Sequence, residues 1–201
     1  MTGKSRIPCG PTAQPVHTAN KAALRVALKA ARRAIDPAHK ARWDAQIGAQ
    51  VLAWWDTQAQ DGAALLGVYW PLPGEPDLLA AYAELARRGA SLVLPVVLAR
   101  DAALGFAFWT PGEPMIKDAM GVAVPQQSRP APAPDALLLP CLGFNQQRYR
   151  LGYGGGFYDR TLAALPRPAT AGVAYACQAS DFATGPHDVA LDLIITEDAG
   201  A

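Results

Sequence analysis

The chain has 201 residues, 51% of them hydrophobic and 17% charged, with a formal net charge of +1 and a pI near 7.7. That length suits one large α/β domain or two small ones with a substantial core. Near-neutral charge argues against a protein that coats nucleic acid or binds membranes through a polybasic anchor.

Residues 1–18 are rich in Pro, Thr, Gln and Gly and lack periodicity, which predicts a disordered tail before a single domain over 19–201. Basic residues occur there with no apolar run behind them, so the start does not read as a secretory signal. No apolar run approaches the ~20 residues of a membrane helix. Cys9, Cys141 and Cys177 are widely spaced and include no CxxC pair. Their odd number speaks for thiols in a reducing compartment, hence a cytoplasmic protein, rather than a disulfide framework.

Asn20 is a candidate cap for a first helix to Ile35, with Leu24, Leu28, Ala31 and Ile35 at helical spacing. Lys21, Arg25, Lys29 and Arg32 form a second, basic stripe. Asp36-Pro37 reads as N-cap and first position of a second helix, with Trp43, Ile47, Val51 and Trp54 or Trp55 facing inward. The apolar runs 64–70, 91–98 and 136–140 predict strands buried on both faces. Between the first two, 71–76 is a loop and Asp77 caps a helix ending at Gly89. Shorter strands are expected at 104–109 and 122–124, and four prolines in 125–135 predict a surface excursion. A helix over 156–165 and strands in "AGVAYAC" and "LDLIIT" complete the chain. Alternating strands and helices predict an α/β fold, a mainly parallel sheet with helices on both faces.

One stretch stands apart. "RLGYGGGFYDR", 150–160, holds four glycines in five positions, then two aromatics and an acid between arginines. Glycine permits positive φ and close approach of backbone N–H groups to an anion. A helix start adds unpaired donors, and Arg150 and Arg160 add charge, so the run describes a phosphate cradle. It fits neither GxGxxG nor GxxxxGK[ST], which excludes the dinucleotide-binding, kinase and Walker loops. No GxSxG elbow or HExxH pair exists, and His17, His39 and His187 are scattered. Cys141, following a buried strand, reads as a packed small residue.

The stretch "LLLPCLGFNQQRYRLGYGGGFYDRTL" closely resembles the signature of 5-formyltetrahydrofolate cyclo-ligases, in which a strand ending in Pro leads to R-x-G-x-G-x-G-aromatic-Tyr-Asp-Arg. "NKAALRVAL" is similar to the family's Lys-x-x-Leu-Arg helix, "VYWPLPGEPD" to its first strand and Glu-bearing loop, and "LVLPVV" and "HDVALDLIITE" to later strands. The likeness spans roughly residues 20–198. It implies an enzyme that uses ATP and Mg²⁺ to cyclise 5-formyltetrahydrofolate to 5,10-methenyltetrahydrofolate, releasing ADP and phosphate after phosphorylation of the formyl oxygen.

Carried over residue by residue, the resemblance implies ATP contacts from Lys21, Arg25, Arg150, Leu151, Gly152, Tyr153, Gly154, Gly155, Gly156, Phe157 and Tyr158. Arg150 and Asp159 are the implied catalytic residues, and Asp159 and Asp188 the implied Mg²⁺ ligands. Trp70, Glu75, Tyr153 and Phe157 are the implied folate contacts. The implied partners are folate and ATP only, with no nucleic acid and no membrane, and a monomer is favoured. Pro76 and Leu78 depart from the aliphatic residue and Thr of many relatives, altering the loop after Glu75. Tyr153 stands where relatives vary between Tyr and a basic residue. The residues leave open a paralogue that uses ATP on a non-folate substrate and a non-catalytic folate- or nucleotide-binding protein. Glu75 with Trp70 bears on the first alternative, the metal carboxylates on the second.

Overall fold

The computed structural model describes residues 21–164 and 166–198. The expected tail, the Asn20 cap and Cys9 lie outside them. Helix α1 (Lys21–Arg33) and the long α2 (Pro37–Gln60) come first. Asp36 caps α2 as its sequence implies, its Oδ1 accepting from Ala38 N (3.0 Å) and His39 N (3.1 Å), with Pro37 in the first turn.

Strand β1 (Leu65–Gly67) is shorter than the apolar run that contains it. Val68 and Tyr69 remain buried beyond it, and Val68 N still bonds to Val93 O. Helix α3 (Leu79–Arg87) follows. Its N-cap position is Leu78, without a side-chain cap; Asp77 instead accepts from Leu79 N at 3.1 Å, so the expected Asp77 cap is displaced by one residue. Strand β2 (Ser91–Val97) pairs parallel with β1, and β3 (Leu104–Trp109) pairs antiparallel with β2.

The strand expected at 122–124 exists as β5 (Ala123–Pro125), but it pairs with β4 (Met115–Lys117) in a separate hairpin. The proline-rich excursion also contributes β6 (Pro130–Ala131) at the sheet edge beside β3, where a residue without an N–H is tolerated. Strand β7 (Ala136–Pro140) is followed by a small hairpin, β8 (Gly143–Phe144) and β9 (Arg150–Leu151), too short to leave a periodic signal. Helix α4 (Phe157–Leu162) stops three residues before the predicted end. Strand β10 (Ala169–Val173) precedes a 3-10 turn (Ala176–Gln178), so "AGVAYAC" is half strand, and β11 (Leu193–Ile195) closes the sheet.

The sheet order is β11-β10-β7-β1-β2-β3-β6, with β11, β10, β7, β1 and β2 mutually parallel. Alternate strand residues face opposite cores. Leu66, Leu92, Leu94 and Leu138 pack with Ile47, Val51 and Trp55 of α2 and with Tyr82 and Leu85 of α3. Leu65, Val93, Leu137 and Leu139 pack on the other side with Phe144 and Leu162 of α4. A third cluster lays Leu28 of α1 on Leu142, Leu151 and Phe182. These clusters give the mainly parallel sheet with helices on both faces. The chain leaves β1 toward β2 on one side and β7 toward β10 on the other, so the direction of winding reverses between β1 and β7. In open α/β sheets the crevice beyond the strand ends at such a point is where ligands bind. The loop 70–77 follows β1 there, and the segment from Cys141 through the glycine run follows β7.

Candidate active site

The glycine run begins at the end of β9. Gly154 (φ +102°) and Gly156 (φ +64°) occupy the left-handed region, which L side chains resist. Gly156 is the N-cap of α4, and that helix is only six residues long, so the loop backbone rather than a helix dipole shapes the cradle. Arg25 of α1 closes one side, its Nε donating to Gly152 O at 2.8 Å. Lys29 lies 5.3 Å over the Tyr153 ring. The basic stripe of α1 therefore faces the loop.

Arg150 is buried under the run. Its Nη2 lies 3.1 Å from Asp159 Oδ2, its guanidinium 5.1 Å over the Tyr158 ring, and its Nε has no hydrogen-bond partner among the described residues. Lys21 pairs with Asp188 at 2.7 Å, and Asp188 also accepts from Gly185 N at 2.8 Å. Burial works against the Asp188 carboxylate, but the Lys21 and Gly185 hydrogen bonds and the Arg150 charge hold it below its ordinary value. Each of the two acids thus already neighbours a cation. Among the described residues no three His, Cys, Asp or Glu side chains cluster as a dedicated cage. Two carboxylates beside a cationic glycine loop are a donor set that fits Mg²⁺, which binds through one or two carboxylates plus phosphate oxygens and water.

Glu75 is the buried member of the site, 2% exposed. Its Oε2 accepts from Leu72 N at 2.9 Å, and its Oε1 accepts from the Tyr153 hydroxyl. Arg32 lies 3.7 Å from Oε1, bonds to the Tyr153 hydroxyl and reaches Cys141 O at 3.5 Å. Burial raises the Glu75 carboxyl above its ordinary value, against the opposing pull of Tyr153, Leu72 N and Arg32. Beside Glu75 opens a cavity of about 470 Å³, walled by Trp70, Leu72 and Gly74, by Lys40 of α2 and by Lys117 and Ala123 of the β4–β5 hairpin. Trp70 is wedged edge-on against Trp109, 6.0 Å between centroids.

The structure joins most of the sequence candidates through contacts. Lys21 meets Asp188, Arg25 meets Gly152, Arg150 meets Asp159, and Tyr153 meets Glu75. Trp70 lines the cavity beside Glu75. The Leu151 side chain is in the core, so only its backbone faces the loop. Phe157 is covered by the Arg160 guanidinium at 5.2 Å. Cys141 is fully buried, its thiol pushed up to about 12 by burial, which agrees with packing rather than nucleophilic chemistry. Sequence reasoning missed Arg32 as a site residue. Its position on the basic stripe was visible, but a buried partner 43 positions away was not.

Over residues 17–197 the chain matches the model of the 5-formyltetrahydrofolate cyclo-ligase family. It is 30% identical to the 5-formyltetrahydrofolate cyclo-ligase of Mycolicibacterium smegmatis over 193 residues, 90% of this chain and 95% of that protein. A shorter match to the Mycoplasma pneumoniae cyclo-ligase is 49% identical over 65 residues, 32% of this chain and 40% of that one. Among solved structures, a 5,10-methenyltetrahydrofolate synthetase from Mycoplasma pneumoniae superposes with a TM-score of 0.73 at 28% identity, covering 90% of this chain and all of that one. The Aquifex aeolicus 5,10-methenyltetrahydrofolate synthetase shares the fold, with a TM-score of 0.75 at 23% identity over 89% of this chain and 90% of its own.

Proposed function

The chain belongs to the 5-formyltetrahydrofolate cyclo-ligase family, and on that premise we propose that it uses ATP and Mg²⁺ to convert 5-formyltetrahydrofolate into 5,10-methenyltetrahydrofolate, ADP and phosphate, as a cytoplasmic monomer. The chemical obstacle is the formyl oxygen, a poor leaving group on an amide-like carbon. Transfer of the γ-phosphoryl group to that oxygen converts it into phosphate. N10 then attacks the carbon and gives up its proton to solvent, the C–O bond breaks, and phosphate departs. Such a reaction asks the protein mainly for positioning and charge stabilisation.

The backbone from Leu151 to Phe157 cradles the phosphates, Tyr158 supports Arg150 from below, and Lys21, Arg25 and Arg150 balance the charge. Asp159 and Asp188 hold the ion, which supplies neutralisation of phosphate oxygens when bound. To do so Asp188 exchanges Lys21 at little cost because that pair is partly exposed, and Asp159 shares the buried Arg150. Glu75 accepts N–H groups from the pterin edge, Trp70 walls the cavity beside it, and the Tyr153 and Phe157 rings flank the substrate.

One observation carries this reading. The single run from Arg150 to Asp159 lies under the α1 cations at one end, and through Tyr153 it touches the buried carboxylate beside the cavity. A nucleotide loop and a substrate carboxylate are thus within one side chain of each other. The test mixes the protein with ATP, Mg²⁺ and 5-formyltetrahydrofolate and follows the methenyl product by its near-ultraviolet absorbance. Product formation that stops in EDTA is expected. ATP consumption on another substrate without methenyl product would instead favour a paralogue.

A further inference from the structure

The α1 stripe contains one cation that turns into the core. Arg32 is 6% exposed and turned away from solvent toward Glu75. A guanidinium has five donors in a rigid fork, and this one spends them on three partners from three separate segments. It bonds to the Tyr153 hydroxyl of the glycine run, to Cys141 O just past β7, and pairs with Glu75 Oε1 in the loop after β1. Tyr153 in turn donates to the same Oε1. Arg32, Tyr153 and Glu75 therefore form a closed triangle across the β1–β7 crevice.

We infer that Arg32 is a positioning residue, which keeps the Glu75 carboxylate ionised and aimed at the folate cavity. The inference rests on the proposed function for the identity of the ligand, but the state of the carboxylate does not depend on it. Taken alone, a carboxyl this deeply buried binds its proton, because desolvation penalises the charged form. Around Glu75 stand the hydroxyls of Tyr69, Tyr82, Tyr153 and Tyr158, the Cys141 thiol and Arg32, and the cavity it opens onto is also lined by Lys40, Asp77 and Lys117. Burial pushes up all four hydroxyls and the thiol, so at neutral pH they are uncharged, and Arg32 is the cation paired with the carboxylate at 3.7 Å. A neutral glutamic acid offers the substrate one oxygen as acceptor and one as donor, the wrong pattern for a ring edge made of N–H groups. The guanidinium thus acts on folate through Glu75.

Glu75, Glu84, Glu113 and Glu197 are the only glutamates, so ¹³C-carboxyl labelling resolves them by NMR, with Glu75→Gln as the assignment control. The Glu75 midpoint is measured in the ligand-free protein, and 5-formyltetrahydrofolate affinity over the same pH range. Arg32→Met is expected to raise the Glu75 midpoint by about one pH unit or more. The acid limb of folate affinity should move with it, while ATP affinity stays within about threefold. Arg32→Lys, which keeps the charge and loses the fork, should restore most of the shift. Where Arg32→Met does not fold, Arg32→Lys carries the test, and Tyr153→Phe, which removes another corner of the triangle, should also move the midpoint upward. An unmoved midpoint in the variant that folds would overturn the inference. So would folate and ATP affinities falling together with no change of pH profile. The carboxyl titration decides the role of Arg32 even in a protein that binds no 5-formyltetrahydrofolate, a result that would overturn the functional reading instead.

Discussion

Two kinds of carboxylate line this crevice, and they are held in opposite ways. Asp188 and Asp159 stand at the rim, each beside one cation and partly open to water. Glu75 sits below, with its side chain 1% exposed and its oxygens shared among Leu72 N, Tyr153 and Arg32. The environment holds the Asp188 carboxyl down and pushes the Glu75 carboxyl up. The signs have consequences for stability. The Asp188 pair stabilises the fold above the ordinary value of 3.8, and that contribution is lost as pH falls through its lowered value. Glu75 does the reverse: its contribution is complete below 4.5 and lost as pH rises through its raised value. On the proposed function, the rim exchanges partners, whereas the buried carboxylate is an unfavourable charge kept for the substrate.

The sharpest way to break this contrast is Asp159→Asn. Loss of a charge that holds the ion should lower kcat about a hundredfold, roughly 3 kcal/mol in the transition state, with partial recovery at high Mg²⁺. The melting temperature should change little, and a lower melting temperature with normal turnover would make Asp159 structural. Glu75→Gln comes next. Replacing a charged acceptor by a neutral one should raise the folate KM about thirtyfold, equivalent to ~2 kcal/mol, with the ATP KM nearly unchanged. A raised ATP KM and an unchanged folate KM would put Glu75 in the wrong site. Gly154→Ala forces a side chain into φ +102°. It should cost about 1–2 kcal/mol, seen as a melting temperature lower by a few degrees and an ATP KM raised up to about tenfold. The smallest effect on stability belongs to Lys21→Met. A partly exposed pair contributes under about 1 kcal/mol at neutral pH, and without it the stability lost on acidification below 3.8 should shrink. A steeper acid limb in that variant would contradict the assignment of rim pairs as exchangeable.

The rim was more legible in the sequence than the buried carboxylate's surroundings. Arg150, Asp159 and the glycines are contiguous, so one stretch displays the cradle before any fold is known. Glu75 was visible only by its likeness to a family loop, and nothing in its neighbourhood named Arg32. Spacing along α1 shows that Lys21, Arg25, Lys29 and Arg32 share a face; it cannot show that the first three meet the loop and a solvated rim while the fourth turns into the core. In the fold, the long buried runs gave their strands, because five parallel strands covered on both faces demand continuous apolar sequence. The misses were short. Strands β6, β8 and β9 have two residues each, below any period, and Asp77 lost its cap role when α3 began one residue later than its sequence suggests.

The route of the formyl oxygen tests the central claim most directly. 5-Formyltetrahydrofolate carrying ¹⁸O in the formyl group is turned over with ATP and Mg²⁺, and the released phosphate is analysed by mass spectrometry. If the crevice transfers the γ-phosphoryl group to that oxygen, each phosphate released with methenyl product carries one ¹⁸O. Methenyl product accompanied by unlabelled phosphate, with the label in water, would contradict the account.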